Sequence, residues 1–99
     1  MSFEYKVIAD KKVSFTDLEL ICNTLKEYPL FCGAILTEYG IHIPCEEEEN
    51  IGWEMVNISL IDEGLFIVVN MNRKETDILF EIIQNIMCNK EIKIIIEDA

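Results

Sequence analysis

Residues 56–71 read VNISLIDEGLFIVVNM, two β-patterned runs joined by Asp62, Glu63 and Gly64. In the first run Val56, Ile58 and Leu60 alternate with Asn57 and Ser59, the period of a strand with one wet face. The second, LFIVVNM over residues 65–71, is apolar on both faces, the pattern of a central strand covered on both sides. A central strand needs neighbours on each side, and the rest of the chain has to supply them.

Downstream, Asn72 with Glu75 three residues on is a helix-capping signal. Ile78, Leu79, Ile82, Ile83, Ile86 and Met87 then recur at helical spacing until Asn89 and Lys90. Ile92 to Glu97 follows as a strand with Ile92, Ile94 and Ile96 on one face. Upstream, Gly33 to Ile43 holds two short apolar runs around Thr37, Glu38, Tyr39 and Gly40, which suits a hairpin closed by Pro44. Ser14 and Asp17 form an imperfect capping box, and Phe15, Leu18, Ile21, Cys22, Leu25 and Tyr28 give a helix running to the residue before Pro29. Phe3, Tyr5, Val7 and Ala9 alternate with Glu4 and Lys6 as a first strand.

These elements predict an α+β two-layer sandwich, a mainly antiparallel sheet of five to six strands with two helices packed on one face. A ferredoxin-like variant with extra hairpin strands fits the order. At 99 residues, residues 1–99 form a single domain. A hydrophobic content of 51% is enough to offset the ordering entropy, so folding without a partner is expected.

The chain carries 19 acids against 8 bases, a formal net charge of −11. Between Lys26 and Arg73 there is no lysine or arginine, while Glu27, Glu38, Glu46, Glu47, Glu48, Glu49, Glu54, Asp62 and Glu63 all fall inside. That segment holds nine of the acids, and the remaining ten acids and eight bases nearly balance. Such a chain is repelled by nucleic-acid phosphates and by anionic membrane surfaces, and attracted to basic proteins. If the segment folds as adjacent strands and turns, its glutamates gather along one edge or end of the sheet, beyond the reach of internal cations. Trp53 and Tyr39 then stand beside the charge as aromatic anchors, although Trp53 equally fits a plug at one end of the core.

Groups for chemistry are sparse. His42 is the sole histidine and sits between two isoleucines, a place for a packed or exposed strand residue rather than a general base. His42 and Cys45 with the following glutamates make only a fragment of a metal site, because the second spaced pair of a zinc site is missing. The run Glu46 to Glu49 lacks the alternating ligands and central glycine of a calcium loop. A glycine-rich phosphate loop is absent, and Arg73 is the only arginine. No catalytic residue, metal or cofactor is therefore expected. Cys22, Cys32, Cys45 and Cys88 contain no C-x-x-C pair and read as reduced core thiols. The N-terminal MSFEYKV has neither a basic nor an apolar leader region, and the longest apolar run is far too short to span a bilayer, so a soluble, cytoplasmic chain is expected.

A small, acidic, noncatalytic α/β domain of this kind resembles the immunity proteins of bacterial toxin systems, including those of contact-dependent inhibition. The resemblance lies in size, charge and the lack of a catalytic motif. It implies a basic protein partner such as a toxin nuclease domain, whose cleft the acids occupy, with the chain itself a monomer or weak homodimer. The contact residues on this reading are Glu38, Tyr39, Glu46, Glu47, Glu48, Glu49, Trp53, Glu54, Asp62 and Glu63. Other classes remain: a regulatory adaptor or nucleic-acid mimic, a homo-oligomeric structural subunit pairing through Ile92 to Ile96, and a small enzyme using His42.

Overall fold

A computed structural model describes residues 2–45 and 54–99. The order is β1 (Phe3–Ala9), α1 (Phe15–Leu25), a 3-10 turn (Pro29–Phe31), β2 (Ile35–Thr37), β3 (Gly40–Pro44), β4 (Glu54–Ile61), β5 (Gly64–Val69), α2 (Arg73–Asn89) and β6 (Ile94–Asp98). The six strands form one sheet in the order β2-β3-β4-β5-β1-β6. Every neighbouring pair is antiparallel. With the β2–β3 hairpin set aside, β1-α1-β4-β5-α2-β6 is the β-α-β-β-α-β order of a ferredoxin-like fold. The hairpin is inserted after α1 and extends the sheet beyond β4.

One face of the sheet is buried under both helices. Val7, Ile41, Ile43, Val56, Ile58, Leu65, Ile67 and Val69 share a single core with Leu18, Ile21 and Leu25 of α1 and Leu79, Ile83 and Met87 of α2. Tyr5 meets Phe80 of α2 edge to face, ring centroids 4.9 Å apart. The opposite face carries no second layer among the described residues. Phe66 and Val68 point to it and are only half-buried, which corrects the expectation that residues 65–71 are covered on both sides. Their partial burial comes from cross-strand neighbours, Ser59 and Lys6 beside Phe66 and Asn57 and Glu4 beside Val68.

Both helix starts carry reciprocal capping boxes. Asp17 N–H donates to Ser14 Oγ at 3.2 Å and Ser14 N–H to Asp17 Oδ2 at 2.9 Å; Asn72 and Glu75 repeat the exchange on α2. At its other end α1 stops at Leu25 rather than reaching Tyr28. Tyr28 is extended, φ −99° and ψ 130°, because the ring of Pro29 disfavours a helical conformation at the residue before it. Gly40 and Gly64, each following a two-residue turn, take φ +130° and +151°. A Cβ on Gly64 would lie 2.0 Å from the Val7 carbonyl oxygen, and one on Gly40 2.1 Å from that of Ile58.

Candidate functional site

The register divides the acids of the middle segment between the two ends of the sheet. Ile41 lies opposite Ile58 and Ile61 opposite Gly64, so the turn carrying Glu38 and Tyr39 lies at the same end as Asp62 and Glu63. Glu54 begins β4 at the far end, about 23 Å away for seven strand steps. Glu46, Glu47, Glu48, Glu49 and Trp53 lie outside the described residues; the connection they belong to leaves β3 at Cys45 and returns at Glu54, at that same far end. Among the described residues the expected contacts therefore form no single cluster, Glu38, Tyr39, Asp62 and Glu63 lying at one end and Glu54 at the other. The run of β4 that sets Glu54 and Asp62 at opposite ends was legible in the sequence, but the register that brings the Glu38 turn to the Asp62 end was not.

The Asp62 end is not free of cations. Glu63 meets Lys6 at 3.6 Å, and a cleft there is lined by Asp10, Lys11, Lys12 and Asp62. Cations distant in sequence thus come next to acids whose own segment has none. Tyr39 stands out at the tip of its hairpin, 75% exposed. At the Glu54 end the balance is more negative. The start of β1 brings Glu4 and the start of α2 brings Glu75. Arg73 and Lys74 follow at the start of α2, and Arg73 is held by Asp77 at 3.3 Å. A cavity of about 340 Å³ opens here, lined by Leu30, Cys32, Pro44, Cys45, Met55 and Glu75 among others.

A feature not anticipated from sequence lies on the open face. The β3–β4 register shifts between Ile43 and Pro44, which sets Ile43 opposite Val56 but Pro44 opposite Glu54. Met55 is the extra residue of this bulge, and it turns the Glu54 carboxylate onto the open face beside His42. His42 Nδ1 lies 2.7 Å from Glu54 Oε1 and Nε2 3.1 Å from Thr37 Oγ1. Because the carboxylate only accepts, Nδ1 donates to Glu54, while Nε2 shares a hydrogen bond with the Thr37 hydroxyl, which also reaches Gly40 O at 3.4 Å. Asn57 Nδ2 donates to Glu54 Oε2 at 2.9 Å. The order hydroxyl, imidazole, carboxylate is that of a nucleophile, its base and an orienting acid. Here the hydroxyl also accepts from Tyr39 N–H at 3.2 Å, and neither described cleft beside these ends is lined by Thr37 or His42. The four side chains tie the hairpin to β4.

Comparison with known proteins gives no significant match to any family model, curated protein or solved structure.

The thiols divide by environment. Cys22 is buried in the core, and its desolvation pushes the thiol pKa up. Cys32 and Cys88 are exposed and Cys45 is half-buried, so the reading of all four as core residues holds only for Cys22. Helical periodicity placed Cys22 correctly, whereas Cys88 falls on the wet side of α2. Cys32 and Cys45 line the same cavity with Glu75, but no three His, Cys, Asp or Glu side chains converge among the described residues. No helix among the described residues is long and apolar enough to cross a membrane.

Proposed function

We propose that this chain is a non-catalytic protein-binding domain that engages a basic partner with the β3–β4 end of its sheet. The observation that carries the reading is the sorting of charge by fold: Lys6, Lys11 and Lys12 share the Asp62 end, while Glu4, Glu54 and Glu75 lie at the other, where the segment that holds Glu46 to Glu49 in sequence leaves β3 and rejoins β4. A concentrated field of one sign costs stability through self-repulsion and speeds encounter with a partner of opposite sign. An immunity protein that fills the basic cleft of a toxin nuclease with these carboxylates fits both the size and the charge. In this reading the chain acts in the cytoplasm, and Tyr39, at the opposite end, lies outside the contact.

Co-purification with the product of the neighbouring gene, followed by titration at two salt concentrations, tests this. Replacing Glu46, Glu47, Glu48 and Glu49 with glutamine is expected to weaken binding at least tenfold, mainly through the association rate. Asp62→Asn with Glu63→Gln is expected to change it less than twofold. Affinity that ignores both salt and the four substitutions would sink the electrostatic account. A His42→Ala chain that keeps its partner but loses its biological effect would point to chemistry at Thr37 instead.

A further inference from the structure

The two edges of the sheet differ. β2 is three residues long, and so short an edge offers little to pair with. β6 runs for five residues, Ile94–Asp98, in continuous register with β1 and without proline. Its pairing with β1 determines which backbone groups are free. Asp10 N–H bonds Lys93 O at 3.0 Å and Ala99 N–H bonds Glu4 O at 3.0 Å. Lys6 faces Glu97 and Ile8 faces Ile95, so residues 93, 95, 97 and 99 exchange bonds with β1. The N–H and C=O groups of Ile94, Ile96 and Asp98 therefore point away from the sheet. On the open face Ile95 is 63% exposed, with Lys93 two residues before it and Glu97 two after. Neither of these charges has an ion-pair partner among the described residues.

We propose that β6 pairs antiparallel with β6 of a second copy about a twofold axis through Ile95. Ile95 then packs on the partner's Ile95 as a non-hydrogen-bonded pair, where side chains approach most closely. Ile94 exchanges backbone bonds with the partner's Ile96. Lys93 stands opposite the partner's Glu97, and the axis repeats that pair. Of the registers that match outward groups with outward groups, this one alone aligns both the isoleucines and the opposite charges. Centring on Ile96 sets Ile95 against the partner's Glu97, and centring on Ile94 brings Glu91 to the partner's Glu97. The pairing continues the sheet through both copies, and Ile8 beside Ile95 makes one apolar strip across the axis. Glu54 is separated from β6 by β5 and β1, and the acidic end approaches β6 only where Glu4 meets Ala99, four residues beyond the axis at Ile95.

Sedimentation over a concentration series tests it, with circular dichroism to confirm that each variant is folded. The wild-type chain is expected to move from monomer to dimer as concentration rises. Ile95→Lys, which places two ammonium groups at the axis without touching the core, is expected to remain monomeric. Lys93→Glu and Glu97→Lys are each expected to weaken association about tenfold, because each turns two attractive pairs into repulsive ones. The double reversal, Lys93→Glu with Glu97→Lys, is expected to restore it. A wild-type chain that stays monomeric throughout overturns the proposal, as does an Ile95→Lys chain that still dimerises or a double reversal that behaves like the single variants.

Discussion

Asp17 serves two contacts with two oxygens. Oδ2 accepts the Ser14 N–H to close the capping box of α1, and Oδ1 receives the Lys90 ammonium from the end of α2. The Lys90 hydrogen bond, with that of Ser14, holds the carboxyl pKa below its ordinary 3.8 despite the opposing effect of burial. A depressed carboxylate stabilises the fold above the unfolded-state pKa, and that contribution is lost as pH falls through the lower folded value. Asp17→Asn, which keeps an acceptor for Ser14, is expected to lower stability by about 2 kcal/mol at neutral pH. The gap from wild type should close as pH drops below about 4, measured by denaturant unfolding at each pH. The spacing of Ser14 and Asp17 made the cap legible in the sequence. Lys90 was not, since 73 residues separate the two charges and only the docking of the helices joins them.

At the scale of elements, the two hairpins share a device. Each makes its turn with two residues and then enters the next strand at a glycine whose positive φ sits against a neighbouring carbonyl. Gly64→Ala has no room to relax, since the obstacle is the backbone of β1 in the middle of the sheet. It is expected to cost about 2–3 kcal/mol, read as a lower Tm, and Gly40→Ala beside β4 a comparable amount. The spans of β1, β4, β5 and α2 follow from period and capping, and these were readable to within a few residues. The bulge at Met55 left no such mark. The alternation read from sequence begins at Val56, and the shift before it appears only when β4 is matched against β3. The Thr37, His42, Glu54 and Asn57 network was hidden for the same reason.

For the whole molecule, charge is the dominant unbalanced quantity. A net −11 on a chain this size repels itself, and exposed pairs such as Lys6–Glu63 and Arg73–Asp77 return little. Raising ionic strength from about 0.01 M to about 0.15 M shortens the screening length to roughly 8 Å and is expected to raise Tm. A Tm that falls instead would show that the ion pairs outweigh the repulsion. Total charge and its segment were plain in the sequence. The three-dimensional sorting was not, because it depends on β1 entering the sheet between β5 and β6 and bringing Lys6 to Glu63.

That central place of β1 also sets an order in time. The hairpins β2–β3 and β4–β5 join residues close in the chain and can form as soon as each is made. β1, synthesised before all of them, has both of its neighbours late, one of them β6 itself. On the ribosome its bonding edges must stay unsatisfied until most of the domain has emerged. The oldest strand can then take its place between the two newest only near the end of synthesis.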